Sequence, residues 1–159
     1  MVIPARPAEY FPPKTILYLI LFFISLPGIS FAEVRDAYVK YVVDGDTVRL
    51  YGGESVRYIG IDTPEKGEPF YGEAKGRNKA LVKGKRIRLV ICDEEKRDKY
   101  GRLLAWVYAD GVFVNKVLIK EGMGKTLMIP PCGLKTEKEF KEAERGAKEG
   151  RLGIWAGVK

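Results

Sequence analysis

The sequence predicts a mainly β domain with helices, built as one small closed barrel. Three observations carry this. Between about Ala37 and Tyr108, short β-rich runs alternate with turns of Gly, Asp and Pro. One helical stretch interrupts those runs and two more follow them. At 159 residues, 46% hydrophobic and 31% charged, the chain suits one folded domain plus a small appendage and is too apolar for disorder.

The elements follow in order. Tyr38-Val39-Lys40-Tyr41-Val42-Val43 is β-branched and aromatic, so it reads as a strand. Asp44-Gly45-Asp46 makes a turn, and Thr47-Val48-Arg49-Leu50-Tyr51 alternates polar and apolar as a second strand. Gly52-Gly53 turns the chain into Val56–Ile61, which Pro64 ends because proline cannot donate to a ladder. A helix is predicted over Tyr71–Val82. Strands follow at Arg86–Ile91 and Leu103–Tyr108, the latter reached through Tyr100-Gly101. A short helix, Val114–Glu121, stops at Gly122. The last helix starts at a predicted capping box, Thr136 with Glu139, and carries Phe140, Ala143 and Ala147 on one face. Five strands with one inserted helix and others after it fit a barrel of the OB type better than a sandwich.

Composition narrows the chemistry. With 28 Lys and Arg against 21 Asp and Glu, the formal charge is +7, which favours polyanions such as nucleic acid, anionic lipid or acidic protein. Histidine is absent. Imidazole bases, Ser-His-Asp and Cys-His machinery and His-ligated zinc are therefore excluded. A hydrolase built here must use carboxylates, Arg, Lys, Tyr and a hard cation.

The first residues look like an export segment. Arg6 and Lys14 precede an uncharged apolar run, Ile16–Ile24; Pro27 and Gly28 break it, and Ser30-Phe31-Ala32 offers small residues at a cleavage spacing. The run is shorter than the ~20 residues of a spanning helix. Residues 1–32 are read as a signal peptide cleaved after Ala32, with an N-terminal membrane segment as the alternative. The protein is then secreted or held at the cell surface. Cys92 and Cys132 lack metal-knuckle spacing. In an oxidising compartment they either close a disulfide, worth about 4 kcal/mol across a loop of roughly 40 residues, or remain two thiols.

Asp44, Asp46, and Asp62-Thr63-Pro64-Glu65 gather acids at predicted strand ends, a pattern that suits a hard cation. An EF-hand is excluded, because Val48 takes the fifth loop position and no glutamate stands at the twelfth. Alone, Asp44-Gly45-Asp46 is an ordinary β-turn. Arg57 lies inside the strand that leads to Asp62, and Arg102 follows Asp98-Lys99-Tyr100-Gly101 at the start of another. Guanidinium forks match phosphate oxygens at any working pH. Together, acids and arginines fit a phosphodiester site.

In order and spacing, Val43-Asp44-Gly45-Asp46-Thr47-Val48, Arg57-x4-Asp62-Thr63-Pro64-Glu65 and Asp98-Lys99-Tyr100-Gly101-Arg102 resemble the signature blocks of the staphylococcal nuclease (thermonuclease) family. The likeness runs from about Val39 to Leu152-Gly153-Ile154-Trp155, making residues 33–159 a thermonuclease-like domain. The resemblance implies a five-stranded OB-fold barrel with about three helices, and a calcium-dependent nuclease that leaves 3′-phosphate ends from DNA and RNA. It implies Ca2+ on Asp46, Asp62 and the Thr63 carbonyl, with Asp44 in the outer shell. Arg57, Glu65 and Arg102 would be catalytic, Glu65 handling the attacking water and the arginines the phosphate. Lys99 and Tyr100 would bind the nucleotide. It also brings the loops of Cys92 and Cys132 close together, although the family's type enzyme has no disulfide.

Two departures bear on substrate. The Glu65–Tyr71 segment is shorter than in the type enzyme, and Met128 and Pro130 replace a pair of aromatics near the nucleotide. Weaker base stacking follows from the second. The rival readings are a non-catalytic OB-fold module that binds nucleic acid and a basic surface protein; neither accounts for the full set of acids and arginines. A monomer needing no protein partner is expected.

Overall fold

The computed structural model describes residues 32–157. The expected export segment, save Ala32, lies outside them. Among the described residues, no helix is long and apolar enough to cross a membrane.

Five strands close into a barrel. They are β1 (Val34–Val42), β2 (Thr47–Leu50), β3 (Ser55–Tyr58), β5 (Arg86–Ile91) and β6 (Leu103–Ala109), ordered β3-β2-β1-β5-β6. Neighbours in that order are antiparallel, and a parallel pairing of β3 with β6 shuts the cylinder. Three helices complete the architecture: α1 (Tyr71–Val82), α2 (Val114–Lys120) and α3 (Glu137–Glu149). This is a five-stranded OB barrel with three helices. Alternation explains the strands: along β5 Ile87, Leu89 and Ile91 are buried while Arg86 and Arg88 are exposed. Phe140, Ala143 and Ala147 bury one face of α3, and Phe140 joins the core cluster with Tyr58, Ile61 and Leu118.

Beyond shifts at element ends, such as β1 starting at Val34 instead of Tyr38, the observed elements depart from the predicted ones in three places. The predicted strand Val56–Ile61 is two strands. Gly60 takes φ +81, and β4 (Gly60–Asp62) turns away to pair with β8 (Lys125–Leu127). A side chain at Gly60 would also meet the Phe140 ring at 2.6 Å, so only glycine fits the bend. Second, β7 (Val112–Phe113) and β8 carry no sequence signal, being two and three residues long. Third, the capping box does not form. The Thr136 hydroxyl donates to the Gly133 carbonyl (3.5 Å), because residues 132–136 already make a 3-10 turn, and Glu139 instead pairs with Lys116 at 2.6 Å.

Candidate active site

The site is built where β1 ends, β2 begins and β3 bends into β4. Asp46 is only 5% exposed. Its Oδ2 accepts from the Thr63 N–H (2.9 Å) and the Thr63 hydroxyl (3.0 Å), and its Oδ1 accepts from the Thr47 hydroxyl (3.1 Å). Burial pushes the Asp46 carboxyl up to about 6, against the opposing pull of Arg57. Gly45 is required by proximity: a Cβ there would lie 2.6 Å from Thr63 Oγ1. The Asp44 Oδ1 accepts the Asp46 N–H (3.1 Å), which fixes the turn.

Arg57 joins the acids. Its Nε lies 3.3 Å from Asp46 Oδ1 and its Nη2 3.6 Å from Asp62 Oδ1. Its Nη1 donates to the carbonyls of Tyr58 (2.6 Å) and Ile61 (2.7 Å), so the guanidinium also staples the β3–β4 bend. Asp62 has a second cation, Lys125 on β8, at 3.4 Å.

Across from these, Arg102 is held in a built turn. The Asp98 Oδ1 accepts from the Tyr100 N–H (2.9 Å) and the Arg102 N–H (3.0 Å), while Oδ2 takes the Arg102 Nε at 2.7 Å. Burial would raise the Asp98 carboxyl, but these bonds leave it below the usual carboxylate range. Gly101, at φ +77, lets the turn close. Arg57, Arg102, Lys99 and Tyr100 line one cleft of about 340 Å3, with Ile129 and Pro130 on its apolar wall. Tyr100 is 71% exposed. The Arg102 guanidinium sits 5.4 Å from its ring, and the Lys99 ammonium sits 5.0 Å from it.

Asp44, Asp46, Arg57, Asp62 and Thr63 thus meet in one connected cluster, with Arg102, Lys99 and Tyr100 facing the adjoining cleft. Glu65 does not join it. It is exposed, its N–H donates to Glu68 Oε2 (2.7 Å), and its carboxylate makes no bond among the described residues. Cys92 and Cys132, in the cleft wall, are joined by a disulfide (S–S 2.07 Å). Glu94 lies beside the sulfurs and pairs with Lys135 at 2.8 Å.

Sequence reasoning missed three supporting residues. Asn78, fully buried on α1, donates to the Asp44 carbonyl (3.1 Å) and accepts the Tyr58 hydroxyl (3.0 Å). Asn115, fully buried on α2, donates to the Ile59 carbonyl (2.8 Å) and accepts the Val107 N–H (2.9 Å). Lys125 is the third. A lone Asn among apolar helix positions is the one signal that could have flagged the first two, since a buried amide needs partners.

The donor set is all oxygen, with a buried carboxylate whose charge desolvation opposes. That chemistry fits a hard divalent cation. A family model described as "Staphylococcal nuclease homologue" matches residues 55–157. The chain belongs to the staphylococcal nuclease family. Relatives within that family agree. The SPbeta prophage-derived endonuclease YokF of Bacillus subtilis (strain 168) is 41% identical over 78% of this chain and 45% of its own length. Endonuclease YncB of the same organism is 41% identical over 72% of this chain and 58% of its own. The thermonuclease of Staphylococcus intermedius is 37% identical over 74% of each chain. The chain therefore spans about half the length of the two Bacillus nucleases it matches.

Proposed function

We propose that this chain is a calcium-dependent nuclease that hydrolyses phosphodiester bonds of DNA and RNA and leaves 3′-phosphate ends. The observation that carries the reading is the junction of buried Asp46, Asp62 and Arg57 beside a cleft that also holds Arg102. Family membership supports it, since relatives are named endonuclease and thermonuclease.

Asp46, Asp62 and the Thr63 carbonyl would hold Ca2+, with Asp44 in the outer shell. When bound, the cation supplies Lewis acidity and local positive charge. The protein's own groups do the rest. Arg57 and Arg102 grip the phosphate from two sides and stabilise the charge that builds on its oxygens. Each is already anchored, Arg57 by two carbonyls and Arg102 by Asp98, so little reorganisation is needed when substrate arrives. Glu65 takes a proton from water as that oxygen bonds to phosphorus; the bond to the 5′ oxygen breaks, this oxygen takes a proton from solvent water as it leaves, and Glu65 returns its own to solvent. Its freedom from protein partners suits a group whose partner is that water. Lys99 and Tyr100 engage the nucleotide at the cleft rim. Export of a monomeric domain, residues 33–159, after cleavage at Ala32 completes the reading, and the disulfide agrees with an oxidising destination.

The test is degradation of single-stranded DNA and RNA with calcium, with magnesium and with chelator, run on the protein and on Arg102→Ala. Calcium-dependent cleavage to 3′-phosphate ends, lost by orders of magnitude in Arg102→Ala, is expected. Tight binding without cleavage under every metal would make this a binding module. Undiminished rates in the variant would remove Arg102 from the clamp.

A further inference from the structure

Strand β2 has two faces. Val48 and Leu50 point into the core, so Thr47 and Arg49, with Tyr51 just past the strand end, lie on the opposite side, Thr47 itself being covered at 3% exposed. Pairing extends that side across its neighbours. Thr47 stands opposite Arg57, and Arg49 stands opposite Tyr41. The Tyr51 N–H donates to the Tyr38 carbonyl (3.2 Å), which sets those two side by side, and Tyr38 stands opposite Arg86. From Arg57 the outer face therefore runs to a row of Arg49 and Tyr41, then to a row of Tyr51, Tyr38 and Arg86. At about 3.3 Å per residue, these rows lie roughly 7 and 13 Å along β2 from Thr47.

The three tyrosines are 56%, 49% and 72% exposed at positions 38, 41 and 51. Aromatic residues are good strand formers, so one exposed tyrosine needs no explanation. Three beside arginines, on the face that holds Arg57, do. Lys40 and Arg88 are exposed on the same two strands as Tyr38 and Arg86, and Asp36 pairs with both Arg86 and Arg88. The face is cationic on balance and, apart from Val34 at its far end opposite Val90, its exposed apolar groups are phenol rings rather than the aliphatic or indole groups that enter a bilayer. Rings accept unpaired bases, and the cations between them accept phosphates. A duplex, with its bases stacked inside, offers nothing to the rings.

We propose that this outer face is a stacking track for single-stranded nucleic acid, continuing the chain that the Arg57 site cleaves. It rests on the nuclease reading for its direction but not for its detection. The experiment measures fluorescence anisotropy of oligo(dT) of about 3 and about 12 nucleotides in chelator. The proteins are wild type, Tyr38→Ser/Tyr51→Ser and Tyr38→Phe/Tyr51→Phe. The serine pair is expected to weaken the long oligonucleotide by roughly tenfold or more and to leave the short one unchanged. The phenylalanine pair restores the long one. Unchanged affinity for the long oligonucleotide in the serine pair overturns the track, as does an equal loss at both lengths. Loss of binding to phosphatidylserine vesicles with no loss on the long oligonucleotide overturns it in favour of a lipid surface. Binding in the expected pattern without cleavage on added metal would remove the nuclease reading and leave the track standing.

Discussion

At 5% exposure the Asp46 carboxylate has lost most of its water, and burial raises it from 3.8 to about 6 despite Arg57. A raised acid binds its proton more tightly folded than unfolded. Its contribution to stability is complete below 3.8 and is lost as pH rises through 6. Without metal, ionised Asp46 should therefore cost up to about 3 kcal/mol at neutral pH. Asp98 and Glu144, held low, act oppositely: their contribution is lost only as pH falls below the ordinary carboxylate range. Thermal melts in chelator should thus show the midpoint rising from about pH 7.5 to about pH 5. Asp46→Asn should flatten that rise and remove the stabilisation that calcium at the proposed site would give at neutral pH. A wild-type midpoint that falls steadily over this range would remove the buried-charge account.

Among the elements, the 44–46 turn carries the constraint that bears most directly on the site. Thr63 reaches across to Asp46 because Gly45 leaves it room, and a methyl there would stand 2.6 to 2.8 Å from three Thr63 side-chain atoms. Gly45→Ala should lower stability by about 1–3 kcal/mol and weaken calcium binding in the same protein. Calorimetry of both quantities checks it, and intact metal affinity would show that the turn tolerates the shift. The turn illustrates what sequence could supply. Asp44, Asp46, Arg57, Asp62 and Arg102 were legible as a set, since each alone is an ordinary turn acid or strand arginine and only their combination in order and spacing points to a site. The barrel strands were legible from β-rich composition and alternation and α3 from its apolar face, whereas α1 has no comparable apolar stripe. The β3–β4 bend was not: Gly60 interrupts an apolar run without breaking its composition, and its reason, the Phe140 ring, arrives from distant sequence. Asn78 and Asn115 were silent for the same cause, their partners lying on other elements. Glu65 was read with the acids after Asp62 and given its role through the family motif, and its carboxylate has no partner among the described residues.

Across the whole molecule, one covalent link supplements the packing. The disulfide ties the Cys92 end of β5 to the 3-10 turn before α3, and both cysteines wall the cleft. Reduction should cost up to about 4 kcal/mol by releasing the unfolded chain. It should also raise KM for nucleic acid more than it lowers kcat, because the cleft wall loosens while Asp46, Arg57 and Asp62 stay held by their own bonds. Steady-state kinetics with and without reductant separate the two, and a fall in kcat with KM unchanged would contradict this role for the cleft wall.

The parallel seam between β3 and β6 has its own consequence. It registers Arg57 against Leu104, two residues past Arg102, so the two arginines become neighbours only when the barrel shuts. Such long-range pairing must overcome loop-closure entropy and comes late and slowly in folding. A half-folded chain already owns every acid and arginine of the proposed site and yet has no clamp. The proposed hydrolytic power is in this sense latent in the ribosomal product, switched on by topology rather than by any single residue.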